Sequence, residues 1–148
     1  MYAFVLEQEG GKISSQIKFI TEPDSSDLVK VKVGYSSLNY KDSLAIHGNL
    51  IRRFPMIPGI DFCGEVISSP NADFVVGQKV LVTGFGYGET RFGGLAEYAF
   101  VEPQHLLALP ESLSEQQAMA IGTAGFTAML CVNALLEAGI EPQQGEVV

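Results

Sequence analysis

The sequence predicts a mainly β domain, a small and strongly bent barrel or sandwich, with helices at its C-terminal end. Short apolar or alternating runs recur through the first two thirds of the chain. Glycine and proline residues separate these runs at intervals of about ten residues, as in small all-β domains. After Pro110 the pattern changes to small and apolar residues typical of helices.

Each strand is predicted from its own local pattern. Val29, Val31 and Val33 alternate with Lys30 and Lys32, the period-two pattern of a strand with one buried face. Turn-forming residues flank the other runs. The other predicted strands are Tyr2–Leu6, Ile60–Ser68, Lys79–Thr83 and Leu95–Val101.

The helical region has recognisable start and stop signals. Ser114 followed by Gln117 is a capping box that opens a short helix. A second helix is predicted from about Thr123 to Ala138, with Gly139 at its C′ position and Pro142 preventing its continuation. This helix is apolar on most of its circumference, so we expect it to have packing partners on more than one side.

Composition limits the classes of function. The 148 residues include 9 basic and 17 acidic ones, giving a net charge of −8, and nucleic-acid binding needs a positive surface instead. The start of the chain lacks the apolar core of a signal peptide, and we count no apolar run near the roughly 18 residues of a membrane span. The two cysteines, Cys63 and Cys131, are interpreted as small core residues. These features predict a soluble cytoplasmic protein that handles small molecules, without nucleic-acid or membrane partners.

Asn39-Tyr40-Lys41-Asp42 follows a clear strand and precedes a predicted helical turn, Ser43–Ile46. In a functional interpretation, Asn39 hydrogen-bonds a planar carboxamide or carbonyl, while Tyr40 and Lys41 donate to an anionic oxygen. In a structural interpretation, Asn39 is the N-cap of the helix and Asp42 its N3 residue. The pattern alone leaves both open.

Asp61 stands just inside a strand, between Ile60 and Phe62. A carboxylate there is expected to be partly buried and to need a partner. Lys41, Arg52 and Arg53 are the candidates. A structural ion pair and a site role both stay open.

Three further segments have alternative interpretations. The threonines Thr123 and Thr127 at a helix start either line a flat ligand or accompany close packing of small residues. Arg52-Arg53 is either a solvated pair or a phosphate contact. Gly84–Gly88 is interpreted as a turn, because its spacing does not match a phosphate-binding loop.

Four motifs, taken in order, resemble those of the medium-chain dehydrogenase/reductases. The resemblance is greatest to the zinc-free quinone-oxidoreductase branch and, within it, to the acrylyl-CoA reductase group. It runs through essentially the whole chain. The motifs are Ser36–Asp42, Phe54–Phe62, Gly93–Tyr98 and Gly122–Ala128.

The resemblance implies a GroES-like bent β-barrel that carries catalytic residues, and a Rossmann domain that binds NADPH. Zinc-dependent members have a cysteine in the loop matching Asn39–Asp42, a histidine at the position of Ile60 and a second cysteine near Thr123. Neither cysteine of this chain stands at a ligand position, so the resemblance implies no zinc.

The implied reaction moves hydride from NADPH to an activated alkene, such as an enoyl thioester, or to a quinone-like substrate. Asn39, Tyr40 and Lys41 are then expected to orient nicotinamide and substrate, with Asp61 setting the charge and position of Lys41 or Tyr40. Thr123 and Thr127 are expected on the cofactor side, and Arg52 and Arg53 near a phosphate of coenzyme A. Full-length members are expected to form homodimers.

We expect two parts in the chain: a GroES-like catalytic domain, 1–122, and a linking helix with the first strand start of a truncated Rossmann domain, 123–148. Val147-Val148 is that strand start, and the rest of the Rossmann domain is expected to be missing. The chain alone is therefore expected to have little or no reductase activity. The alternative is a stand-alone GroES-like binding or structural module without enzymatic activity.

Overall fold

The chain folds mainly as β-structure in a computed structural model that describes residues 1–47 and 51–140. A 3₁₀ turn, Pro103–His105, lies between the last two strands. The elements in chain order are β1 Tyr2–Glu9, β2 Lys12–Phe19, β3 Val29–Ser37, α1 Tyr40–Ile46, β4 Asp61–Ser68, β5 Lys79–Thr83, β6 Tyr98–Val101, β7 Leu107–Ala108 and α2 Glu115–Glu137.

The strands form a five-stranded antiparallel sheet and a separate hairpin. The sheet order is β6-β3-β4-β5-β7, and β1 pairs with β2. Backbone hydrogen bonds connect the hairpin to the rest of the domain, from the Phe4 N–H to the Leu95 carbonyl at 2.9 Å and from the Leu6 N–H to the Met56 carbonyl at 2.7 Å. The mainly β prediction is confirmed, and among the described strands both sheets are open.

One face of the large sheet is buried. In β3, Val29 and Val31 are buried whereas Lys32 is exposed, as the alternation predicts. At Gly64 on β4 a Cβ atom would lie 2.0 Å from the Lys32 carbonyl oxygen, so the close approach of the two strands requires glycine. The core is formed by valines of β3, β4, β5 and β6 with Phe62 and Tyr87.

The predicted strands agree with the observed ones, with shifts at their ends. Lys79–Thr83 is found as predicted, whereas the strand predicted from Leu95 begins at Tyr98. Strand β2 was missed because its side chains are largely exposed and include three consecutive polar residues, Ser14-Ser15-Gln16. Strand β7 has two residues and no pattern of its own.

The two predicted helical segments join in α2, which breaks at Gly122 (φ 48°, ψ −162°). The Ser114 side chain accepts the Gln117 N–H at 3.2 Å, which confirms the capping box. At the other end, Gly139 has φ +80°, and the N–H groups of Gly139 and Ile140 bond to the Leu136 and Leu135 carbonyls. These bonds form the predicted C-terminal glycine motif. The predicted roles of Pro142 and Val147-Val148 lie outside the described residues.

Beyond Gly122, α2 is apolar and exposed, with Phe126, Met129 and Leu130 each more than half exposed. The described residues leave this face uncovered, so the expectation of packing partners on more than one side stays a prediction. By length and composition the helix also qualifies as a membrane span, contrary to the sequence-based expectation, which counted only uninterrupted apolar runs. This is weak evidence for a membrane, because long apolar helices of soluble domains have the same composition.

Candidate functional site

Asp42 joins the two polar loops that flank the candidate site. Asn39 is the N-cap residue of α1, and Asp42, three residues later, is buried. One carboxylate oxygen of Asp42 accepts the Asn39 N–H at 2.8 Å. The other accepts the N–H groups of Gly59 and Ile60 at 2.9 and 3.1 Å. The predicted positions of Asn39 and Asp42 in the helix are confirmed, and Asp42 also fixes the loop that leads into β4.

Asp61, the first residue of β4, is completely buried. Its Oδ2 accepts the Thr123 N–H at 2.6 Å and an Asn39 Nδ2–H at 3.1 Å, and its Oδ1 accepts the Thr123 hydroxyl at 2.6 Å. Hydrogen bonds to a buried carboxylate replace the water that it loses on folding. We call Asp61, Asn39 and Thr123 the Asp61 cluster.

The predicted cationic partners of Asp61 are therefore wrong within the described residues. Lys41 forms its ion pair with Glu89 on the loop after β5. Arg52 and Arg53 are exposed, and the Arg53 guanidinium lies 5.5 Å from the ring centre of Phe92. The expectation that Asp61 positions Lys41 or Tyr40 is also wrong, because the carboxylate accepts its hydrogen bonds from neutral donors on Asn39 and Thr123.

Gly122 allows Thr123 to reach Asp61. A Cβ atom on Gly122 would lie 2.8 Å from Asp61 Oδ2 and 3.1 Å from the Ser37 hydroxyl oxygen. The positive φ and this close approach both require glycine. In an unbroken helix the Thr123 N–H would bond to a carbonyl one turn earlier, whereas here it donates to the carboxylate.

The remaining predicted site residues lie outside this cluster. Tyr40 is the first residue of α1, and its side chain is 80% exposed. Lys41 is half exposed beside Glu89. Thr127 is exposed, and its hydroxyl donates to the Thr123 carbonyl at 2.8 Å. The exposed His47 has its Nδ1 2.7 Å from the Ser43 carbonyl oxygen, at the end of the same helix.

An apolar groove of about 330 Å³ borders the Asp61 cluster, and its lining includes Thr83, Phe85, Gly122 and Phe126. Phe85 has a positive φ of 52°, which is unusual for a bulky residue. Its ring stacks on the His105 imidazole with the ring centres 4.5 Å apart. The predicted turn at Gly84–Gly88 is confirmed, and its Phe85 lines this groove.

The cysteines differ in their surroundings. Cys63 is buried and donates to the Glu115 carbonyl at 3.3 Å. Burial and the nearby Glu115 charge raise the pKa of the Cys63 thiol to about 11. Cys131 is exposed, so the prediction that both are core residues is wrong for Cys131. In residues 1–47 and 51–140, no three His, Cys, Asp or Glu side chains are grouped to hold a metal ion.

Sequence reasoning named the members of the Asp61 cluster but missed three residues that support the site. Asp42 was assigned only its N3 position in the helix, and its hydrogen bonds to the Gly59 and Ile60 N–H groups were not predicted. Gly122 had a signal, because an isolated glycine between two helical patterns often marks a break. Glu89 had none, since its contact with Lys41 depends on how the chain folds back.

Comparisons with known proteins identify a family profile and relatives that are similar to this chain in sequence. The profile of the alcohol dehydrogenase GroES-like domain matches residues 25–111, more than half of the chain. The probable acrylyl-CoA reductase AcuI of Escherichia coli is 53% identical over 153 residues, covering 100% of this chain and 47% of the relative. The putative quinone oxidoreductase YhfP of Bacillus subtilis is 43% identical, covering 99% of this chain and 45% of that protein.

Solved structures agree with this placement. The yhdH oxidoreductase of Salmonella enterica, crystallised with NADP, has a TM-score of 0.91 at 53% identity and matches 98% of this chain. Bacillus subtilis yhfP, crystallised with NAD, also has a TM-score of 0.91, at 42% identity over 98% of this chain. The chain spans 46% and 45% of the chains in these two structures.

Proposed function

The chain belongs to the alcohol dehydrogenase GroES-like domain family of the medium-chain dehydrogenase/reductases, and on this premise we propose that it is the catalytic-domain part of an NADPH-dependent oxidoreductase. The proposed reaction reduces an activated carbon–carbon double bond, as in acrylyl-CoA or another enoyl-CoA, or a quinone-like substrate. The names of the relatives support the reaction class. NADPH is preferred because the Salmonella structure, at 53% identity, contains NADP.

The observation that carries the proposal is the Asp61 cluster beside the apolar groove. A carboxylate only accepts hydrogen bonds, so the Asn39 carboxamide nitrogen faces Asp61 and its oxygen lies on the opposite edge. A carboxamide held in this way suits recognition of another planar amide. The groove, which meets the cluster at Gly122, suits an apolar acceptor. These residues fit a nicotinamide cofactor, which Asn39, Thr123 and Thr127 would hold.

NADPH, when bound, supplies the hydride. The residues of this chain then have to stabilise negative charge on the substrate carbonyl oxygen. Tyr40 and Lys41 are the proposed donors, because both lie on the first turn of α1 and are accessible. Glu89 holds the Lys41 ammonium on this side of the domain. Arg52 and Arg53 are the proposed contacts for a phosphate of coenzyme A, since both are exposed and positively charged.

We propose that this chemistry proceeds without zinc. Asn39, Ile60 and Thr123 stand at or near the positions that carry zinc ligands in the metal-dependent members, and none of the three side chains is a thiolate or an imidazole. Dialysis of the protein against a zinc chelator is therefore expected to leave its fold and its cofactor affinity unchanged. A loss of either that added zinc restores would contradict the proposal.

The division into 1–122 as catalytic domain and 123–148 as a link to a cofactor domain also remains a proposal. The break at Gly122 coincides with this boundary. We further propose that the whole protein is cytoplasmic and forms a homodimer, with small molecules rather than nucleic acid or membrane as partners.

A chimera tests the function directly. We would join this chain to the C-terminal part of the Escherichia coli relative that it does not match, and measure NADPH oxidation at saturating acrylyl-CoA. The reductase chimera is expected to turn over, whereas this chain alone is expected to give little or no activity. A folded chimera that binds NADPH but reduces neither enoyl-CoA nor quinone would refute the proposed function. Turnover by the chain alone near ordinary enzyme rates would refute its predicted inactivity.

A further inference from the structure

Asp61 connects two parts of the chain that are far apart in sequence. Asn39 precedes α1 and Thr123 follows the break in α2, and both donate to the same buried carboxylate. Thr123 contributes two of the three hydrogen bonds, each at 2.6 Å. The position of the second segment of α2 and the orientation of the Asn39 side chain are therefore coupled through one group.

The break at Gly122 depends on the same carboxylate. A helix that restarts after a break has backbone N–H groups without helical partners. The Asp61 side chain accepts the first of these, from Thr123. A negative charge at this position is also favourable for a helix start. Asp61 thus caps the 123–137 segment from outside the helix, in the role that a side chain of the N-cap residue has elsewhere.

We propose that Asp61 is a positioning residue with two targets: it fixes the orientation of the Asn39 carboxamide and the angle between the two segments of α2. Only the functional consequence of this positioning rests on the proposed function: Asn39 and Thr123 would be presented to the cofactor in one arrangement. The geometry itself is independent of that function. Asp61 acts through Asn39 and Thr123, and it is not assigned a contact with the substrate.

Three isosteric variants separate the hydrogen bonds. Asp61→Asn removes the charge and replaces one acceptor by a donor. With the NH₂ group at the Oδ2 position the Asn39 amide and the Thr123 N–H both lose their acceptor, and with it at the Oδ1 position the Thr123 hydroxyl does. Thr123→Val removes only the hydroxyl donor and leaves the buried carboxylate in place. Thr127→Val is the matched control, because it removes the same group four residues later, where the hydroxyl bonds to the Thr123 carbonyl rather than to Asp61.

The first measurement is the NMR signal of the Asn39 side-chain amide in the 148-residue chain, identified by its loss in Asn39→Asp. In the wild type, one amide proton is expected to be shifted downfield and to exchange slowly. Asp61→Asn is expected to reduce the shift, because the acceptor is then a neutral oxygen or is lost, and to increase exchange roughly tenfold to hundredfold. Thr127→Val is expected to leave the signal unchanged. An unaltered Asn39 signal in Asp61→Asn would overturn the proposal.

The second measurement is the distance between spin labels on Gln116 and Asn133, two exposed positions on either side of the break. Thr123→Val, which keeps the charge and is expected to fold, should shift or broaden the distance distribution. Thr127→Val should not. Because Thr123→Val keeps the Thr123 N–H bond to Asp61, the decisive variant is Asp61→Ala, which removes the acceptor of both Thr123 donors. If neither variant changes the distribution, Asp61 does not set the helix angle and the proposal fails. Asp61→Asn, which weakens the same bonds, is measured in its place if Asp61→Ala does not fold.

A core variant distinguishes positioning from general stability. Val66→Ala removes buried methyl groups from the sheet core, away from the Asp61 cluster, and lowers stability. It is expected to leave both the Asn39 signal and the label distance unchanged, and a change in both would show that these signals follow general stability rather than the Asp61 hydrogen bonds, which would overturn the proposal. Neither measurement includes cofactor or substrate. A failure here is therefore distinct from failure of the reductase chimera, which tests the proposed function.

Discussion

Replacing Asp42 by alanine tests whether this residue holds the two polar loops together. The side chain is 1% exposed and accepts three backbone N–H groups, those of Asn39, Gly59 and Ile60. Asp42→Ala leaves all three without their acceptor. Asp42→Asn retains one acceptor oxygen but places an NH₂ group against at least one N–H donor.

The magnitude follows from these three bonds. A hydrogen bond to a charged group contributes about 1.5–3 kcal/mol, so three would give roughly 4.5–9 kcal/mol if they were additive. Removing the carboxylate also relieves its own desolvation, and water can enter the space left behind. We therefore expect a net decrease in the free energy of unfolding of about 3–5 kcal/mol for alanine and about 2 kcal/mol for asparagine.

Urea unfolding followed by circular dichroism measures this decrease, with tyrosine emission as a second probe because the chain has no tryptophan. Asp73→Ala is the matched control, since Asp73 is exposed on a loop between strands and should change stability by less than about 0.5 kcal/mol. A decrease below about 1 kcal/mol for Asp42→Ala would show that the loops do not depend on this carboxylate.

Three further predictions concern other parts of the domain. A thiol reagent should label Cys131 in the folded chain and Cys63 only after unfolding. Because the pKa of Cys63 is raised from 9.0 to about 11, the unfolded state loses this proton first, and stability should fall as the pH rises from 9 to 11, more than in Cys63→Ala. In the reductase chimera, Lys41→Met should lower kcat roughly 100-fold. Stability should change by less than about 1 kcal/mol, because the pair with Glu89 is partly exposed; an unchanged kcat would exclude Lys41 as a donor. The exposed face of α2 should bind a hydrophobic dye and promote self-association of the chain, and a clean monomer in sedimentation without dye binding would contradict this expectation.

Local patterns account for most of what was predicted correctly. The valine alternation of β3, the Ser114–Gln117 capping box and the C′ position of Gly139 all depend on residues within a few positions of one another. Strand β2 lacked such a pattern, because its stability comes from pairing with β1 rather than from a buried face of its own.

The sequence predicted the residues of the site but not the hydrogen bonds between them. Asn39, Asp61 and Thr123 were all named from the sequence, yet a cation was expected opposite Asp61. Neutral donors occupy that place, because three hydrogen bonds satisfy the buried carboxylate. Lys41 instead forms an ion pair with Glu89. The sequence shows which side chains need partners, whereas the choice among candidate partners depends on distances that only the fold creates.

The sequence by itself determined a mainly β domain with a capped C-terminal helix, because strand alternation and helix caps are short-range properties of the chain. The tertiary structure decided where that helix breaks and what fixes Asn39. Asp61 and Thr123 are 62 positions apart, and no local periodicity encodes a bond across that distance. It forms because β4 and the second segment of α2 meet at Gly122, where the absent side chain lets the carboxylate reach the backbone.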